Sequence, residues 1–77
     1  MSTDPLALPL PPGVHPDVEA LLRFFEFAHL PPSLRIVSAE CSRLALAMGG
    51  TLPQNAELIA GLRKLLEAKD CFVRARL

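Results

Sequence analysis

Apolar side chains recur along this chain in three blocks, each at the spacing of an α-helix rather than of a strand. From Asp17 to His29, the residues Val18, Leu21, Leu22, Phe25 and Ala28 fall on one stripe, while Phe24 and Phe27 point away from it. Pro16 suits a first helical turn, Asp17 and Glu19 suit its positive end, and Pro31 with Pro32 ends the block. A second helix is predicted from about Ser33 to Met48, with Leu34, Val37, Cys41, Leu44, Ala45 and Met48 as its packing stripe. Ser33, Ser38 and Ser42 then read as a helix start and a solvated edge. Gly49-Gly50 supplies a left-handed stop, and Pro53 with Asn55 marks the next start. The third helix, about Asn55 to Arg76, is roughly 30 Å long. Its stripe is Leu58, Leu62, Leu65, Leu66, Phe72 and Val73. The short connection makes helices two and three antiparallel neighbours.

Two positions break the third stripe: Lys69 and Arg76 are cations where apolar side chains belong. The polar edge of the same helix holds Arg63 with Glu67 and Asp70 with Arg74, spaced to form surface pairs of little worth. Another edge carries Ala60, Gly61, Ala68, Cys71 and Ala75, small residues that admit a close helix backbone. Together with Phe24 and Phe27, this edge points to self-association.

The first sixteen residues hold five of the eight prolines, so they form an extended or disordered arm and not a helix. Leu6, Leu8 and Leu10 would make that arm a clasp between subunits if they dock on a neighbour; otherwise it is a tail. The expected organisation is an arm over residues 1–16 and a helical hairpin domain over residues 17–77. The fold class is all-α: two to three helices in an antiparallel hairpin, assembling as an oligomer. At 77 residues the domain buries little surface, which also favours assembly.

Composition narrows the chemistry. Eight Lys plus Arg balance eight Asp plus Glu, so no broad basic face serves DNA or RNA and any anion site is local. No apolar run reaches the roughly 18 residues of a membrane span, and the N-terminus lacks the pattern of a signal peptide. A cytoplasmic protein without membrane partners is expected. Cys41 and Cys71 are too few for a disulfide framework, lie about 13 Å apart in the predicted hairpin, and read as small buried hydrophobes. Phosphate-loop, dinucleotide, nucleophile-elbow and metal-ligand patterns are all missing, so neither an enzyme nor a metal or other cofactor is expected. His29, at a helix end, packs or caps the last carbonyls of the first helix.

The remaining candidate is built from cations and a helix end. The hairpin brings Lys69 level with about Leu34, where the start of helix two is already partly positive. Two readings stand. Glu26 pairs with Lys69, which is then architectural; or a phosphate binds there, clamped by Arg35, Lys69 or Arg76. Arg63 and Lys64, nearer the hairpin loop, are placed to serve a second anion across a subunit boundary.

The run from Phe25 through His29-Leu30-Pro31-Pro32, then a helix, the turn at Leu52-Pro53 and Leu62-Arg63-Lys64 in a closing alanine-bearing helix resembles a known domain. It is the helical hairpin domain of small phage anti-defence sponges, which act against cyclic-oligonucleotide (CBASS) and Thoeris signalling. The likeness spans about residues 24 to 77. It implies a hexamer that sequesters cyclic di- or trinucleotides without cutting them, with Arg63 matched to the family's hairpin-helix arginine. The β domain of the Thoeris sponges has no counterpart here. With no Tyr or Trp, base stacking falls to Phe side chains, His29 or arginine planes. The alternative function is a helical oligomerisation or protein-interaction module with no nucleotide ligand.

Overall fold

A computed structural model describes residues 10–27 and 30–77, and among them the only regular structure is three helices: α1 (Pro16–Arg23), α2 (Pro32–Thr51) and α3 (Ala56–Arg76). Residues 1–9, which carry most of the expected arm, and Ala28 and His29 lie outside the described residues.

Each helix starts where the local chemistry allows. The His15 ring accepts the Asp17 N–H at 3.1 Å, Pro16 follows, and Asp17 and Glu19 occupy the first turn of α1. Helix α2 begins behind Pro31 with no side-chain cap, one residue earlier than the spacing predicted. Asn55 caps α3 by accepting the Leu58 N–H at 3.0 Å. Gln54 ties the intervening connection together: its amide donates to Gly49 O at 2.8 Å, and its oxygen accepts the His15 N–H at 2.9 Å.

The first helix is shorter than its stripe suggested. It ends at Arg23, and the N–H groups of Phe24, Phe25 and Glu26 then bond back three residues, which tightens the chain and turns it out of the helix. That turn drives Phe25 into the core and leaves Phe24 exposed. The freed Phe25 carbonyl accepts a hydrogen bond from Ser42 Oγ, replacing the helical partner it lost.

Helix α2 corrects the predicted stripe. Its buried residues are Ser38, Cys41, Ser42, Ala45 and Gly49, a face turned roughly 60° from the expected one at 100° per residue. Leu44 stays 46% exposed, while Ser38 and Ser42, expected on a solvated edge, are buried. Size explains the turn. Small residues let α1 lie close: a Cβ added at Gly49 would stand 3.2 Å from both terminal methyls of Leu22. The glycine pair is likewise no stop, since the helix runs through both, and among the described residues only Gly13 has positive φ. The helix breaks at Leu52, which Pro53 forces to be extended.

The core gathers Val18, Leu22 and Phe25 from the first segment, Cys41 and Ala45 from α2, and Leu58 and Leu62 from α3. Helices α2 and α3 make the most extensive of the three helix contacts. Beyond Lys69 the stripe of α3 is barely covered. Phe72, expected inside, is 55% exposed, and Cys71, on the far side of the helix from Leu58, is exposed rather than buried. No described helix is long and apolar enough to cross a membrane.

Candidate functional site

Lys69 does not pair with Glu26 among the described residues. Its side chain is only 11% exposed, and its Nζ donates to the Phe24 carbonyl at 2.8 Å. Phe24 caps the C-terminus of α1, so the ammonium meets the negative end of one helix rather than the positive start of another. The same nitrogen lies 5.7 Å from the centre of the Phe25 ring and 3.6 Å from Asp70 Oδ1. Glu26 makes no ion pair among the described residues; Lys69 has its hydrogen-bond acceptor in the Phe24 carbonyl and its anionic neighbour in Asp70. The charge is therefore satisfied within the chain.

Arg35 behaves in parallel. Half-buried on α2, its Nε donates to Leu30 O at 2.8 Å. The two cations thus hold carbonyls at opposite ends of the α1–α2 connection, Phe24 and Leu30. A shallow depression of about 340 Å³ adjoins Arg35 and is lined otherwise by Phe27, Pro32, Ile36 and Ala39. An anion seeking either cation would compete with a main-chain oxygen.

Arg63, Lys64 and Arg76 are exposed on α3 and make no hydrogen bond or ion pair among the described residues. Arg76, expected on the packing stripe, is exposed, since no other described element packs over the last turn. Arg63 and Arg76 are separated along one rigid helix by roughly 20 Å, so a single chain does not close these cations on one small anion. Arg63 and Lys64 do form an adjacent, freely presented pair. The expected pairings of Arg63 with Glu67 and of Asp70 with Arg74 are not made among the described residues: Asp70 turns to Lys69, and Arg74 donates to Cys71 Sγ at 3.3 Å. His29 lies outside the described residues.

The feature that sequence reasoning missed is apolar. A groove of about 460 Å³ runs between the end of α2 and the start of α3, lined by Leu44, Met48, Leu52, Leu58, Gly61 and Leu65 among others. Its signal is present in the surplus of apolar positions on α2, but the predicted stripe counts Leu44 and Met48 among the buried residues, whereas both line the groove. Burial raises the Cys41 thiol above its ordinary value; the Lys69 charge opposes this and Glu40 adds to it. Within the core, that thiol is held in its protonated form, which is not the nucleophile. Among the described residues no three His, Cys, Asp or Glu side chains gather as metal ligands. Set against family models, characterised proteins and solved structures, the chain matches none.

Proposed function

We propose that this chain is a sponge: a non-enzymatic phage-type protein of the infected cell's cytoplasm that binds cyclic di- or trinucleotide immune signals and withholds them from their effector. The observation that carries this reading is the adjacent pair Arg63 and Lys64, exposed on α3 without a side-chain partner among the described residues, of which Arg63 is the position the family resemblance matches. Two neighbouring exposed cations on a helix, about 100° apart around its axis, can each offer a contact to phosphate oxygens, Arg63 by bidentate hydrogen bonds and Lys64 as a point charge. One chain offers half of such a site. In the proposed assembly, a hexamer of antiparallel α2–α3 hairpins, a second subunit supplies the other half, and exposed Arg76 adds a third cation near the boundary. Lys69 and Arg35 hold the subunit's shape instead of the ligand. Sequestration is stoichiometric, so affinity rather than turnover sets its effect.

A ligand that binds only the folded state at about a hundredfold its Kd stabilises by about 2.7 kcal/mol, a rise in Tm on the order of 10 °C for a domain of this size. The test is thermal unfolding with a panel of cyclic di- and trinucleotides, followed by recovery of the ligand. The expected result is a rise with at least one member, intact ligand afterwards, and loss of the rise in Arg63→Glu with the unliganded Tm unchanged. A folded, assembled protein that no member stabilises overturns the proposal.

The apolar groove supports a second reading, an interaction module with no nucleotide ligand. It predicts self-association that no member of the same panel alters.

A further inference from the structure

We propose that two copies of this chain pair through α3, antiparallel about a twofold axis between Leu65 and Ala68, each seating its Phe72 in the other's groove. The inference shares only the expectation of assembly with the sponge reading and stands on separate observations. Along α3, Leu58, Leu65 and Phe72 recur every seven residues, and Gly61, Ala68 and Ala75 recur at the same interval three residues on. A strict seven-residue apolar repeat is the seam of a coiled coil. Its first residue, Leu58, is spent in the chain's own core, and from Gly61 onward the seam is only partly covered by the described residues. Phe72 is 55% exposed, Leu65 and Ala68 are half-buried, and a Cβ added at Gly61 would meet nothing within 4 Å.

The order of sizes selects the partner. Reversing the seam about its midpoint sets Leu58 against Ala75, Gly61 against Phe72 and Leu65 against Ala68 of the second copy. Every large side chain then faces a small one, in both directions, as an isologous interface requires. Phe72 arrives at Gly61, where the groove lined by Leu44, Met48 and Leu52 stands open. A knob and a matching notch, neither filled by the described residues, lie on one helix at the spacing that makes them meet.

The area suffices. A stable interface needs about 1,000 Å² in total, or about 500 Å² from each copy. That is close to a tenth of the 5185 Å² this chain exposes. Two helices of about 20 residues, side by side, present a face on the order of 600 Å² from their length and width. The α3 seam with the adjoining flank of α2, where Leu44 is 46% and Leu52 44% exposed, supplies such a face.

The test is light scattering on the full chain beside Gly61→Leu and Phe72→Ala at equal concentration. The wild-type mass should be two copies or an even multiple. Gly61→Leu, at a position where an added Cβ meets nothing within 4 Å, fills the notch and should halve it while helicity and the dilute-limit Tm hold or rise, leucine relieving glycine's helical cost. Phe72→Ala should act in the same direction. A monomeric or odd-numbered wild type, or a Gly61→Leu protein of unchanged mass, overturns the pairing. Register is read by oxidising a mixture of Leu65→Cys and Ala68→Cys proteins, each also carrying Cys71→Ser. More cross-linked dimer than either forms alone supports the twofold axis, and no excess overturns it. Loss of nucleotide binding with the even mass retained would sink the sponge alone.

Discussion

Lys69 shows what a single charge does in a small core. A lysine with four methylenes and one ammonium can bury its stem and still place the charge where the fold has negative potential. Here that place is the Phe24 carbonyl at the end of α1, beside the Phe25 ring. The anomaly itself was legible in the sequence, because the helical period put a cation on the packing stripe. Its partner was not. Side-chain letters do not reveal which main-chain carbonyls a helix end leaves free, and the predicted α1 ran on to His29, which left no carbonyl free at Phe24. Lys69→Met keeps the stem's packing and removes the charged donor, stranding that carbonyl. A hydrogen bond to a charged group contributes about 1.5–3 kcal/mol, so the variant should lose stability of that order in urea unfolding. It should also retain any nucleotide-induced rise in Tm. An unchanged urea midpoint, or loss of the ligand response with stability intact, would return Lys69 to the binding site.

At the scale of the element, α2 carries the clearest departure from pattern reading. Its existence and its packing against α3 follow from the sequence, but its run through Gly49 and Gly50 to Thr51 and its inward face do not. Periodicity sums hydrophobicity, and it therefore preferred Leu34, Leu44 and Met48 to Ser38, Ser42 and Gly49. Close approach of two helices depends on size instead, and a serine hidden under α1 costs little when its hydroxyl finds a carbonyl, as Ser42 does at Phe25. Ser38 Oγ has no such partner among the described residues. Gly49 makes the argument testable. An added Cβ would stand 3.2 Å from the methyls of Leu22, a side chain with no exposed surface into which to retreat. Relief of glycine's helical cost, about 0.5–1 kcal/mol, is then outweighed by overpacking of about 1–3 kcal/mol. Gly49→Ala should unfold at lower urea despite its better helix propensity. A stabilised variant would mean that α1 is not packed as described.

For the whole molecule, the decisive quantity is how much apolar surface remains unspent after folding. The buried apolar core among the described residues is Val18, Leu22, Phe25, Cys41, Ala45, Leu58 and Leu62, two of which are small. Meanwhile Phe24, Ile36, Leu44, Leu52, Phe72 and Leu77 keep large exposed fractions. Helix α1 covers one flank of the α2–α3 pair over only eight residues, and the groove side has no cover from the described residues. Folding such a chain alone leaves a thin margin over the entropy of ordering it, roughly 1–2 kcal/mol per residue for the backbone. Association changes that balance by mass action, because a partner that binds only the folded subunit adds its binding free energy to the subunit's stability. Folding and assembly should therefore be linked, with a Tm that climbs steadily with protein concentration in calorimetry. The climb should vanish in Gly61→Leu, whose isolated subunit is unharmed but whose notch is filled. A wild-type Tm independent of concentration would show instead that three helices and this modest core are enough, and that the open face is not what holds the fold together.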